Sequence, residues 1–396
     1  MESIILFKGQ SQYGALNHWV DDLATTFQSL GFETITIDLL QEDHKQRLAE
    51  IWQLKNIKFF LGINGWGMNW GVQEQSAYDY LQVPFLGWFI DHPCYHFSRL
   101  NPISSREMVL AFVDQTHLQF VSPYLPSSIV KGFIPHAAQP VTHPLKPFQE
   151  RELDFVFLGS FADLTQIKTE IDALPASLKQ VVWETIAAAK FNQQDPLNQL
   201  LSCHFTEKGL NPEEIAPDLW YLLLRKIELY IRYFRRNHIL STIKKTPLWV
   251  FSNAGKHFQN VSNNIRFMDP IPYTQTLQIL GNTKLALNIS PYILAGGHDR
   301  LFNSMLQGAA CFTDTNGWLQ DNFQDNQSLY FYDLNSSILD DKLQMILSQP
   351  DHMAALAERG REIAQQSHTW LQRAQTMLDL IETHQRSKTQ VDRGVL

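Results

Sequence analysis

With 396 residues, 44% of them hydrophobic and 18% charged, the chain is globular in composition and too long for one ordinary core, so two domains of somewhat under 200 residues are expected. A formal charge of −8 argues against nonspecific nucleic-acid binding by the protein as a whole. Cys94, Cys203 and Cys311 are scattered and lack Cys-x-x-Cys spacing, which excludes a disulfide framework and fits reduced thiols in the cytoplasm. The first eight residues show no basic stretch followed by a long apolar run, so no signal peptide is expected. No segment reaches the ~18–20 apolar residues of a transmembrane helix.

The first half alternates strands and helices. Short apolar strands are predicted at 4–7, 34–37, 58–63, 85–90, 109–113 and 129–134. A helix over 18–30 places Trp19, Leu23, Phe27 and Leu30 on one face and is stopped by Gly31. Three prolines between 140 and 147 mark a linker, taken as 141–150 between a domain at 1–140 and one at 151–370. A new strand ends in Gly159-Ser160. Residues from about 164 to 245 contain no clear strand and read as a helical insertion. Strands resume at 248–251, 265–268, 286–289, 310–313 and 328–331, and helical spacing returns from about 337 to 384. A C-terminal helix from 371 is expected to cross back to the first domain, ending in a polar, frayed tail at 386–396. Apolar strands separated by helices imply parallel sheets with both faces covered, here two doubly wound α/β domains facing a cleft.

Several segments could carry chemistry. Gly9 to Gly14 bound a loop between the first strand and the first helix, and Tyr13 and Gly14 are candidates to meet a phosphate or an acceptor sugar; an ordinary strand–helix turn explains the loop equally well. Asp91 and His92 follow an apolar strand at the edge where such sheets place ligands, and Pro93 ends the strand sharply. Either side chain could take a proton from an acceptor hydroxyl, and the competing role is a capping Asp beside a hydrogen-bonded His. Trp220 to Lys245 is basic and aromatic, with an apolar stripe at helical spacing; it suits a core-facing helix with a solvated cationic face, or weak contact with a membrane surface. The richest segment is 285–314: an apolar strand, a loop with Gly296 and Gly297, a helix opening with His298, Asp299 and Arg300, then a second strand. Paired glycines let the backbone approach a ligand, a helix start favours a phosphate, and Arg300 supplies a fork of donors matched to its oxygens. On this basis Gly297, His298 and Arg300 are candidates for a nucleotide diphosphate, with His298 also stabilising a leaving group and Asp299 meeting sugar hydroxyls. An N-cap cluster on a buried helix is the alternative. There is no Asp-x-Asp, no P-loop, no Gly-x-Ser-x-Gly and no His-Glu-x-x-His, which disfavours metal-dependent transferases, common ATPases, hydrolases and zinc proteases.

The pattern Asn-Ile-Ser-Pro from Asn288, then Gly-Gly-His-Asp-Arg-Leu-Phe-Asn-Ser-Met from Gly296, then Gly-Ala and Thr-Asp, resembles the donor-site segment of group 1 glycosyltransferases of the GT-B fold. It is most similar to the spore-maturation (CgeB-like) branch. Asp299 stands where that branch has Glu, Asn303 where larger group 1 families place a ribose-binding Glu, and Ala295 lies near an earlier Glu of theirs. The resemblance implies two Rossmann-like domains and transfer of a hexose from a nucleotide-diphosphate sugar, without cofactor or metal, to a protein, glycan or lipid hydroxyl. It further implies that Gly159 and Ser160 lie under the donor phosphates, that Tyr273 borders the base and that Asn303 meets the ribose. A nucleotide-sugar 2-epimerase and a non-catalytic GT-B binding protein share the same architecture.

Overall fold

The computed structural model describes residues 1–72, 75–101, 103, 105–141, 143–253 and 262–392. They form two compact units, Met1–Gln139 with His368–Leu396, and Pro140–Ser367.

The first unit is built on six parallel strands: β1 (Ser3–Lys8), β2 (Glu33–Asp38), β3 (Ile57–Ile63), β4 (Phe85–Phe89), β5 (Met108–Phe112) and β6 (Val130–Phe133). Their order is 2-1-3-4-5-6, with Ile5 beside Ile35 and Phe60, so the winding reverses between β1 and β3. Ile4, Ile5, Leu6, Phe59, Phe60, Phe85, Leu86 and Phe112 are fully buried, as continuous apolar runs require when helices cover both faces. Helix α1 (Ala15–Ser29) buries Trp19, Val20, Leu23 and Phe27 and ends at Gly31, whose φ of 89° lies in the left-handed region.

The second unit repeats the plan with β7 (Leu153–Leu158), β8 (Leu248–Phe251), β9 (Ile265–Met268), β10 (Thr283–Asn288), β11 (Ala310–Asp314) and β12 (Tyr330–Tyr332). All pairs are parallel and the order is 9-8-7-10-11-12, with reversal between β7 and β10. Phe155, Phe157, Leu285, Leu287 and Phe312 form the centre of its core. Between β7 and β8 the expected insertion consists of α2 (Leu164–Asp172), α3 (Ala176–Ala189), α4 (Leu197–Glu207) and α5 (Pro217–Thr242). Helix α6 (Tyr273–Gly281) precedes β10, α7 (Asp299–Leu306) joins β10 to β11, and α8 (Pro350–Ser367) closes the unit.

The strand expectations are met within one to three residues at each end. The polar tail departs from expectation. Helix α9 (Trp370–Asp392) runs through most of it, because His384 and Lys388 both hydrogen-bond the buried carboxylate of Glu107 at the start of β5. Residues 393–396 lie outside the described residues. The helix belongs to the first unit: Trp370 packs 5.8 Å from Trp19 and 6.0 Å from Trp88, and a Cβ on Gly132 of β6 would stand 2.6 Å from Leu380.

Candidate active site

The carboxyl ends of a doubly wound sheet leave a crevice where the strand order reverses, in the second unit between β7 and β10. Arg300, in the first turn of α7, reaches back across that point. Its Nε donates to the Leu158 carbonyl at 2.5 Å, and Nη1 donates to Asn288 Oδ1 at 2.9 Å and to the Ile289 carbonyl at 3.2 Å. The guanidinium sits 5.2 Å over the Phe157 ring. A Cβ on Gly159 would stand 3.3 Å from Nη2, so the glycine keeps the approach to that nitrogen open. Among the described residues nothing accepts a hydrogen bond from Nη2.

A second guanidinium arrives from the insertion. Arg236 on α5 is 5% exposed; its Nη1 donates to the backbone carbonyl of Ser160 and, at 3.3 Å, to Ser160 Oγ, while its Nε has no partner among the described residues. Neither arginine is ion-paired among the described residues. Burial pushes Arg236 down to about 9, with the nearby charges of Arg300 and Arg232 adding to the effect. Arg300 is likewise lowered by burial, partly offset by Asp299 and Asp314. A buried and a half-buried cation that repel one another at the end of one strand form a setting that an oxyanion relieves.

Arg235 and Arg236 correct the expectation of a solvated cationic face. Arg235 is buried and caps α3 through the carbonyls of Ala189, Lys190 and Asn192, with its guanidinium 4.7 Å over Tyr292. Lys226 pairs with Glu170 at 2.9 Å and Arg232 with Glu228 at 3.0 Å. The signal was present in the spacing: Ile231, Arg235 and Ile239 lie four residues apart and share the buried stripe.

The loop before α7 is held from several sides. Gly297 is forced by proximity, since a Cβ would come within 2.5 Å of Phe302 and 2.8 Å of Trp318. Asn316 donates to the carbonyls of Ile293 and Gly296, both at 3.0 Å, and buried Asp314 accepts from Ser290 N and Oγ. His298 is the N-cap of α7: its Nδ1 accepts from Arg300 N–H at 3.2 Å and also lies 3.0 Å from Asp299 Oδ1. A neutral ring satisfying that N–H carries its proton on Nε2, whereas a protonated ring serves Asp299 instead. Behind them, buried Tyr273 donates to Asn303 Oδ1 at 2.9 Å, and Asn303 Nδ2 reaches Asp299 Oδ2 at 3.5 Å. Thus Gly159, Ser160 and Arg300 converge on the reversal point, His298 and Asp299 flank it at the helix start, and Tyr273 with Asn303 forms a buried support behind Asp299.

The remaining candidates belong to the first unit. Tyr13 and Gly14 both have left-handed backbone, with φ of 56° and 78°, in a turn whose Ser11 Oγ accepts from Leu16 N at 2.8 Å. Asp91 is held by Asn64, a residue the sequence reading passed over. Asn64 Nδ2 donates to Asp91 Oδ2 at 3.0 Å while its Oδ1 accepts from Ile90 N, and an Asn-Gly pair after an apolar strand was the available cue. His92 Nδ1 accepts from Cys94 N at 3.2 Å, so a neutral His92 carries its proton on Nε2. Among the described residues no group of three or more His, Cys, Asp or Glu side chains could hold a metal ion, and no helix is long and apolar enough to cross a membrane.

Similar folds occur in an alpha-glucosyltransferase solved with UDP-glucose and DNA containing an abasic site (10% identity, 96% of this chain and 99% of that one, TM-score 0.54) and in Anabaena HepE with UDP and glucose (10%, 97% and 100%, 0.52). Sucrose-phosphate synthase from Thermosynechococcus elongatus is similar too (12%, 97% and 99%, 0.50). The fold is GT-B. Residues 235–379 match the family model described as glycosyl transferase-like, a segment that begins at Arg235 and includes the whole loop around α7. No curated protein matches the chain in sequence. The second unit therefore carries most of the matched segment, residues 235–367, together with the paired arginines.

Proposed function

We propose that the chain is a glycosyltransferase moving a hexose from a nucleoside-diphosphate sugar to the hydroxyl of a protein, glycan or lipid acceptor. The convergence of Arg236 and Arg300 on the end of β7, without carboxylate partners among the described residues, carries this reading. The diphosphate lies on Arg300 Nη2, Arg236 and the first N–H groups of α7, and His298 donates from Nε2 to the leaving oxygen. The acceptor oxygen attacks the anomeric carbon as its bond to the diphosphate breaks. The acceptor proton passes to Asp91 in an inverting reaction, or to the departing phosphate in a retaining one. Two guanidiniums supply the positive charge that a divalent ion would otherwise bring, so the transfer is metal-independent. Within GT-B transferases the Gly-Gly-His-Asp-Arg segment favours the spore-maturation branch, and a cytoplasmic setting suits Cys94 and Cys311, buried and in no disulfide.

UDP-hexoses are the first donors to test, since two proteins of similar fold were solved with UDP-glucose or with UDP and glucose. Calorimetry with UDP should give a Kd that rises at least tenfold in Arg300→Ala and in Arg236→Ala, with folding checked by circular dichroism. UDP release from a UDP-hexose should survive EDTA. Wild-type affinity in both variants would remove the diphosphate assignment. Conversion of a UDP-sugar to its 2-epimer without acceptor would replace transfer by epimerisation.

A further inference from the structure

The loop Gly9-Gln-Ser-Gln-Tyr-Gly14 between β1 and α1 has the place of a phosphate cradle and lacks its means. A cradle of that kind uses the unpaired N–H groups of the helix start. Here those groups are already taken. Ser11 Oγ accepts from Leu16 N at 2.8 Å and from Asn17 N at 3.4 Å. Ala15 N donates to the Gln12 carbonyl, and Gly14 N to the Ser11 carbonyl at 3.4 Å. Asn17 Oδ1 in turn accepts from Gly9 N at 3.4 Å, tying the first residue of the loop to the helix. None of the six loop residues is charged, and Lys8 before them pairs with Asp21 at 2.6 Å.

What the loop displays instead is a ring. Tyr13 has φ 56° and ψ 16°, a left-handed conformation that bulky residues seldom enter and that stores strain. Glycine adopts it freely, as Gly14 does next door with φ 78°. The Tyr13 side chain is 41% exposed and, among the described residues, makes no hydrogen bond and no ring contact. A turn that served the fold alone would have no use for an aromatic residue there. The position is also where a doubly wound sheet takes its ligand, beside the reversal between β1 and β3. The indole of Trp66, from the turn after β3, lies against Gly9, where a Cβ would stand 2.2 Å from it. Both sides of the reversal therefore meet at the foot of the loop. Gln10 and Gln12, both exposed, place two neutral amides beside Tyr13.

We propose that Tyr13 is the acceptor-side stacking residue and that the acceptor is a neutral glycan. One pyranose ring packs its C–H face on the Tyr13 ring, and the Gln10 and Gln12 amides, each donor and acceptor, meet its hydroxyls. An uncharged loop with one displayed ring matches a polyhydroxyl ring better than a charged peptide or an acyl chain. The acceptor role rests on the transferase reading above; stacking of a sugar on Tyr13 does not.

The test is a ligand-observed NMR titration of the full chain with maltose, cellobiose, lactose and diacetylchitobiose. We expect saturable binding of at least one of them, kept in Tyr13→Phe and weakened about fivefold or more in Tyr13→Gly. The urea midpoint of Tyr13→Gly should equal or exceed that of wild type, because glycine relieves the left-handed strain. UDP affinity should be unchanged in both variants. A purely structural Tyr13 would give the reverse, a lower midpoint in Tyr13→Gly with sugar binding intact. Tyr13→Asn, which also tolerates the left-handed region, removes the ring if Tyr13→Gly fails to fold. No binding of any of the four sugars, or binding indifferent to loss of the ring, overturns the proposal. Failure of the transferase reading shows separately, as a sugar held by Tyr13 that never raises UDP release from a UDP-hexose, with UDP binding indifferent to Arg300 and Arg236.

Discussion

At the scale of single residues, two glycines of the candidate loops answer to different physics. Gly297 has ordinary backbone but no room, with rings of Phe302 and Trp318 where a Cβ would be. Gly14 has open space around it and a φ of 78° that L-residues rarely adopt. Gly297→Ala should therefore cost about 1–3 kcal/mol by overpacking and weaken UDP binding through the displaced His298. Gly14→Ala should cost about 1 kcal/mol through backbone strain alone and leave UDP affinity unchanged. Urea denaturation and calorimetry on the two variants check both statements, and equal effects on UDP affinity would contradict them.

At the scale of elements, helix α9 is latched to the first sheet by a polar contact. Glu107 is 4% exposed and accepts from His384 at 3.1 Å and from Lys388. Burial alone would raise its carboxyl, but the hydrogen bonds and charges of His384 and Lys388 hold it below the usual range. A depressed folded pKa contributes stability above the unfolded value of about 4.3, lost as pH falls through the folded one. Glu107→Gln should cost about 1–3 kcal/mol at pH 7, and wild type and variant should converge in urea melts below pH 4. The latch also shows where sequence reading ends. Strands such as 248–251 and 265–268 were legible because buried parallel strands are apolar throughout. The helical persistence of the polar tail was not, because it depends on Glu107, some 280 residues away. The donor-side loop was legible from local residues, Gly-Gly then His-Asp-Arg. Arg236 was not, since its partner Ser160 lies 76 residues earlier and only the folded insertion brings them together. Asn64 escaped for the same reason, acting through a side-chain contact formed across connections.

At the scale of the whole molecule, acid–base behaviour should carry a signature from where α9 begins. Asp22 accepts from Trp370 Nε1 at 3.0 Å and is pushed up to about 6, mainly by burial, with His18 at 3.8 Å opposing and Asp21 adding. A carboxyl raised on folding contributes stability that is full below about pH 4 and lost as pH rises through 6. Asp22→Asn keeps an acceptor for the indole without the buried charge, so it should gain up to about 3 kcal/mol at pH 8 and little at pH 4. Thermal melts at the two pH values decide this, and a destabilised variant at pH 8 would contradict it. The same helix bears on the order of assembly. The second unit is one unbroken stretch of chain, whereas the first is assembled from both ends of the sequence. During synthesis the second unit is complete in sequence while the first still lacks α9, so Trp19 and Trp88 wait for Trp370 until the whole second unit has been made. Of the two units, the one that begins earlier in the chain finishes folding later, and until then its uncovered indoles are what a chaperone would meet.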